Sequence, residues 1–224
     1  MNKVYNFSID KYNFSKLVED YFEKNLSELH LNSNNNYELF TEVGKDSSTE
    51  FHNKFYKKLN SDWKEIHNLY DLFLKDIVNP IVKNITGEQE FVYQKFPTFR
   101  VHLPNNVAVT EFHKDSQPGY NHPEGEINFV IPLTKMYDSN TIWAESSPGK
   151  NNIQPLNLEL GELLCWNFNK CLHGNKINET KHTRVSMDFR VLPMSKYKSI
   201  DSEKGSATTK NKFKIGSYYK TINL

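Results

Sequence analysis

Cysteine is nearly absent from this chain: Cys165 and Cys171 stand alone among 224 residues and do not form a CxxC pair. That excludes a disulfide framework and makes a reducing cytoplasm the expected home. Long apolar runs are missing too. Nothing approaches the ~20 residues that a membrane span needs, and the start Met1-Asn2-Lys3-Val4-Tyr5 carries no apolar stretch of the signal-peptide kind. Nor is there a surplus of one charge sign. The formal net charge is +1, so no electrostatic footprint for nucleic acid exists. Rings, by contrast, are plentiful, with 15 Phe and 12 Tyr. A chain of this size buries roughly 70% of its surface on folding, enough for an aromatic core. The expectation is one globular domain over 1–224, with neither nucleic acid nor membrane as partner.

Two helical patterns come first. Phe14, Leu17, Val18, Tyr21, Phe22, Leu26 and Leu29 recur at spacings of three and four, which predicts one helix face ending before the polar run Asn32-Ser33-Asn34-Asn35-Asn36. A second stripe, Phe51, Phe55, Leu59, Trp63, Ile66, Tyr70, Phe73 and Ile77, predicts a long helix from about Ser48 to Val78. Ser47 and Glu50 have the spacing of a capping box for it. Asn79-Pro80 should stop or kink it, because proline lacks the N–H that a helix needs. Rings at helical spacing are ordinarily core, so both stripes read as support for whatever follows.

From Phe91 the pattern changes to short strand-like runs near 96–103, 107–113, 127–133, 140–146, 153–159, 162–168, 170–174 and 183–192. Turn residues separate them, as in Pro104-Asn105-Asn106, Ser147-Pro148-Gly149-Lys150 and Leu160-Gly161-Glu162. Strands at this spacing point to a sandwich or jelly roll. The chain thus divides into a helical support (1–90), a β core (91–193) and a tail (194–224). Ser195–Lys212 reads as a mobile loop, and the rings after Phe213 should dock back onto the body. In the last long strand Arg184, Ser186, Asp188 and Arg190 share one face and Val185, Met187, Phe189 and Val191 the other. The apolar face is expected against the helices, and the polar face along a cavity suited to a carboxylate.

The chemistry centres on Glu111-Phe112-His113-Lys114-Asp115. His113 and Asp115, one residue apart at the end of a strand, can converge on one ion. HxD alone is common by chance, and His113 and Asp115 alone would read as a surface pair. A second histidine, His173 in Cys171-Leu172-His173-Gly174-Asn175, completes two imidazoles and a carboxylate, the facial set that leaves three positions open on an octahedral iron(II). Beyond it lies Thr183-Arg184-Val185-Ser186. His102, His122 and His182 read as ordinary polar residues, and Cys171 as a buried, inert thiol.

This order of HxD, distal histidine and RxS resembles the iron(II)/2-oxoglutarate-dependent oxygenases. The strings FRVHLPNNVAVTEFHKD, GEINFVIPLT, NTIWAESSPG and CLHGNKINETKHTRVSMDFRV are similar to the phytanoyl-CoA-dioxygenase-like branch near the streptomycin-biosynthesis hydroxylases, over roughly 91–193. The resemblance implies a mainly β fold with N-terminal α-helices, a double-stranded β-helix of cupin-like type with helices on the outer face of its major sheet. It implies Fe(2+) on His113, Asp115 and His173. It also implies 2-oxoglutarate held by Arg184 and Ser186, with Asn128 as a further contact, and O2 as co-reactant. Arg100, Trp143, Glu145, Tyr120 and Asn175 stand near the motifs as candidate substrate contacts. Hydroxylation of a sugar or other biosynthetic metabolite, with succinate and CO2 released, is the implied reaction. A carboxylate at position 115 disfavours halogenation by filling the place of a halide, while oxidative desaturation or ring closure stay open with the same ligands. A cupin-type metalloenzyme that does not use 2-oxoglutarate, or a non-catalytic binding protein, stays open on the residues alone.

Overall fold

The computed structural model describes residues 2–32, 49–108, 111–206 and 210–221. After strand β1 (Lys3–Asn6), the first apolar stripe forms helix α1 (Phe14–Phe22), capped by the Asn13 side chain on the Lys16 N–H. Glu23 then turns left-handed at φ 55° and ends it. Leu26 and Leu29 are buried as the pattern requires, but on a separate 3₁₀ segment, Leu26–Asn32. The predicted single helix is therefore two pieces around a tight corner.

The second stripe is also divided. Helix α2 (Glu50–Leu59) starts at Thr49, whose hydroxyl accepts the His52 N–H. Ser47, read as the capping residue, lies outside the described residues. The chain breaks at Asn60, resumes as α3 (Lys64–Phe73), widens into a π turn (Leu74–Val78) and continues as α4 (Asn79–Thr86). Pro80 thus does not stop the helix. It sits in the first turn of α4, where a missing N–H is tolerated and the wider turn before it gives the ring room. The stop comes at Gly87, left-handed at φ 78°.

The rest is mainly antiparallel β structure. Its strands are β2 (Phe91–Gln94), β3 (Thr98–His102), β4 (Ile127–Pro132), β5 (Ile142–Glu145), β6 (Ile153–Leu156), β7 (Glu162–Trp166), β8 (His173–Gly174), β9 (Arg184–Pro193) and β10 (Tyr219–Thr221). One sheet runs β1-β7-β4-β9-β2-β10, with β3 also paired to β9, and a smaller one runs β6-β5-β8. The sequence left out β1, β2 and β10, which are short and lie at or near the sheet's ends. It also placed a strand over 107–113. Among the described residues of that range only His113 makes a β-bridge, because its backbone pairs with His173 alone.

β9 is the spine. Its apolar residues Val185, Met187, Phe189 and Val191 share one cluster with Phe14, Phe22, Phe55 and Phe73 of the helices. Phe55 stacks on Phe99 of β3 with centroids 4.0 Å apart and planes within 4°. The opposite face of the same strand is thereby left for polar groups. After β9 a helical turn, α5 (Met194–Tyr197), leads to the tail, and Phe213, Tyr218 and Tyr219 return to bury against Val92 and Leu192. Among the described residues no helix is long and apolar enough to cross a membrane.

Candidate metal centre

His113 and His173 belong to segments far apart in sequence, held face to face by a mutual backbone pair. Each N–H donates to the other's carbonyl at 2.9 Å. Gly174 makes this approach feasible. A Cβ there would lie 3.0 Å from the Phe112 ring and 3.2 Å from its Cα, so the chain before His113 crosses directly over β8. Asp115 is fixed at both ends of its peptide unit. Its N–H donates to Phe168 O (3.1 Å), and its carbonyl accepts the His122 N–H (3.0 Å).

The three side chains converge. One ligand atom from each of His113, Asp115 and His173 lies within 4.8 Å of the others, and all three residues are buried. The Nε2 atoms are 3.6 and 3.7 Å from Asp115 Oδ1, too long for good hydrogen bonds and spaced as donors around a shared ion. Each Nδ1 faces a backbone carbonyl at 3.1 Å, of Glu111 and of Cys171. Those contacts place the proton on Nδ1 and leave the Nε2 lone pair for a metal. Burial pushes His173 down to about 4, against the pull of Asp115, so its imidazole is neutral. Burial alone would raise the Asp115 carboxyl, but Arg190 and the histidines hold it well below the usual range. Two imidazoles presenting Nε2 and an ionised carboxylate form a donor set suited to a divalent transition metal.

The polar face of β9 lines the adjoining cavity. Arg184 and Arg190 enter it together with Arg100, Asn128, His113 and His173. Arg184 is 1% exposed. It donates through Nε to Asn140 O (3.0 Å) and through NH1 to the Ser186 hydroxyl (2.9 Å). Among the described residues no carboxylate lies within 4.0 Å of it, whereas Arg100 pairs with Asp188 at 2.9 Å. Burial, with Arg100 nearby, lowers its guanidinium to about 9. Asp188 supports that charge only at longer range; a buried cation without a direct carboxylate contact is costly, and an anion entering this cavity would relieve that cost.

The other sequence candidates separate. Arg100 and Asn175 line the cavity. Asn128 does too, but its amide N–H donates to Asp115 Oδ2 (2.7 Å) and its carbonyl accepts the Asn169 N–H (3.2 Å). Tyr120 stacks on His113, with centroids 4.0 Å apart and planes within 10°, and donates to Glu111 (2.9 Å). Trp143 and Glu145 are not among the cavity's lining residues. Ile142 takes the inward position of β5, so Trp143 faces an outer groove beside Lys176. Glu145 is buried and accepts the backbone N–H groups of Leu172 (2.8 Å), Asn151 (2.9 Å) and Gly149 (3.3 Å). It organises the approach to His173. The sequence assigned no role to Arg190, whose Nε and NH2 both reach Asp115 Oδ2 at 3.0 Å, or to Phe168, packed on His173 at 4.4 Å. Alternation along β9 put Arg190 on the correct face, but its partner depends on how β9 and the 113–115 loop meet.

No family model matches the chain. Among solved structures, it is similar to the non-haem α-ketoglutarate-dependent carbocyclase SnoK of nogalamycin biosynthesis (10% identity, TM-score 0.48, 69% of this chain and 71% of that one). It is also similar to the nickel complex of the non-haem monooxygenase ThoJ (7% identity, TM-score 0.46, 86% and 74%). Among curated proteins, the streptomycin biosynthesis protein StrG of Streptomyces griseus is 34% identical over 183 residues, 79% of this chain and 78% of that protein. At that identity and coverage the chain belongs to the family of the streptomycin biosynthesis protein StrG.

Proposed function

We propose that this protein is an iron(II)- and 2-oxoglutarate-dependent oxygenase that hydroxylates a small biosynthetic metabolite. One observation carries the reading: a buried His113–Asp115–His173 donor set shares a cavity with Arg184, a buried guanidinium that has no carboxylate partner among the described residues. A structural ion-pair network would have supplied that partner from within the chain. We read the two sheets as the two sides of a double-stranded β-helix, with the cavity between them.

Each residue then has a role. His113, Asp115 and His173 would hold Fe(2+) through Nε2, one carboxylate oxygen and Nε2. Bound there with 2-oxoglutarate and O2, the metal supplies oxidative decarboxylation to succinate and CO2, coupled to oxygen insertion into a C–H bond. Arg184 receives the distal carboxylate of the cosubstrate, its fork kept in plane by Asn140 O and the Ser186 hydroxyl. Buried apolar groups around it, Val130 and Phe168, keep water from competing for that carboxylate. Arg100 and Asn175, which line the cavity, and Tyr120, which stacks on His113 outside its lining, are the substrate-contact candidates that remain. A polar metabolite such as a sugar or aminocyclitol suits them, and the relative's place in streptomycin biosynthesis supports that class.

The test is succinate release from 2-oxoglutarate under air with iron(II), stimulated by candidate metabolites. The wild-type chain should release succinate, and His113→Ala, Asp115→Ala and His173→Ala should each abolish it. Arg184→Ala should weaken 2-oxoglutarate binding about 10- to 100-fold, the value of a charge-assisted bond. Unchanged affinity in that variant would favour a cupin-type enzyme that does not use 2-oxoglutarate.

A further inference from the structure

The two oxygens of the Asp115 carboxylate have different surroundings. Its Oδ2 accepts Asn128 Nδ2 at 2.7 Å and lies 3.0 Å from both Nε and NH2 of Arg190. A carboxylate oxygen has about two lone-pair directions, so three N–H donors saturate this one. Oδ1 alone faces the two imidazoles. Arg190 is held in turn. Its NH1 reaches Asp188 Oδ2 (3.1 Å) and Gln94 Oε1 (3.3 Å), and Gln94 also accepts the Tyr218 hydroxyl (3.1 Å). Tyr219 donates to Glu126, whose other oxygen lies 3.9 Å from Arg190 Nε. The returning tail therefore closes the shell behind the guanidinium.

We propose that Arg190, with Asn128, is a positioning pair that reserves Oδ2 of Asp115 for the protein, so that the carboxylate binds metal through Oδ1 only. The inference rests on the metal-centre reading above. Its consequence is geometric. A carboxylate free to swing presents both oxygens to the metal and fills a position that cosubstrate or O2 needs. The pair prevents that swing. Lysine cannot replace arginine here. A single ammonium offers a point charge, not two parallel N–H groups toward Oδ2 with a third toward Asp188 and Gln94.

The test is an anaerobic titration of cobalt(II) into the wild-type chain, Arg190→Lys and Asn128→Ala, read by heat and by the visible d–d bands, with melts of the metal-free proteins alongside. The wild-type chain should bind one ion. Arg190→Lys should bind it about 10- to 100-fold more weakly, the usual cost of losing a partner of a metal ligand, and with altered d–d bands. Asn128→Ala, which removes one donor and no charge, should move both readouts in the same direction by less. Wild-type affinity and unaltered bands in Arg190→Lys overturn the proposal. If that variant does not fold, the same result in Asn128→Ala overturns it. Failure of the wild-type chain itself to bind cobalt sinks the metal centre instead.

Discussion

Charge is placed inside this protein in two different ways, and the difference separates structural residues from working ones. Arg100 and Arg190 share Asp188 between them, whereas Arg184, among the described residues, hydrogen-bonds a carbonyl and a hydroxyl and touches no carboxylate. His52 shows the structural kind of burial. It is 0% exposed, with Nδ1 on the Thr49 hydroxyl at 2.6 Å. Burial, reinforced by the charge of Arg100, pushes its pKa down to about 3. An unfolded histidine titrates near 6.5, so the folded value is depressed. Its contribution to stability is complete above pH 6.5 and is lost as pH falls toward 3. Between pH 6.5 and 5 this one residue should cost the fold on the order of 2 kcal/mol. Urea titrations at several pH values check this: the wild-type curve should fall more steeply on the acid side than that of His52→Leu. Superimposable pH profiles would contradict the assignment. At this scale the sequence was readable where a motif is local. HxD and RxS could be seen because neighbouring positions fix their geometry. The Arg190–Asp115 contact could not, since it joins β9 to a distant loop.

Elements position the centre by approaching closely rather than by being long. β8 has two residues, His173 and Gly174, yet it carries one histidine of the candidate centre and the backbone pair to another. A side chain at Gly174 would press on Phe112, its Cβ lying 3.0 Å from the ring and 3.2 Å from Cα, so the neighbouring segment would have to shift. Gly174→Ala should force the 112–113 segment outward, stretch the His113–His173 bridge, and destabilise the fold by about 1–3 kcal/mol, the usual range for overpacking. The measurement is paired: a thermal melt for stability and a cobalt titration for the centre. Loss of stability with unchanged metal affinity would mean that the loop relaxes without disturbing His113. Periodicity found most buried positions of the helices, such as Phe14, Phe22, Phe55 and Phe73, but Leu17, Tyr21 and Ile77 are only half-buried, and the π turn buries Leu74 and Val78 instead. It did not find their breaks. Apolar spacing reports which side faces the core, and a 3₁₀ corner or a π turn preserves that side while changing the backbone. β1, β2 and β10 escaped because strands of three or four residues are too short for alternation to emerge.

The molecule as a whole is a wall of helices behind one sheet, with the polar face of β9 turned toward a second, smaller sheet. That arrangement couples the metal to global stability. His113 and Asp115 come from the loop after β3, His173 from the small sheet, and only the folded chain gathers them. An unfolded chain has no comparable site, so any metal bound to the native state stabilises it by mass action. At one hundred times the dissociation constant the gain is about 2.7 kcal/mol, and for a chain of this size that corresponds to a rise of about 5–10 °C in Tm. Manganese(II) or cobalt(II) should therefore raise the melting temperature in a concentration-dependent manner, and a chelator should reverse it. His113→Ala should melt at a temperature that does not respond to either. The same melts with 2-oxoglutarate separate the two halves of the site. If Arg184 receives the cosubstrate as proposed, 2-oxoglutarate should add a further increment in the metal-loaded wild-type chain and a smaller one in Arg184→Ala, where the buried guanidinium that would pair with the dicarboxylate is gone. An increment from 2-oxoglutarate that is equal in both proteins would mean that the anion binds elsewhere and that the charge on β9 serves the fold alone.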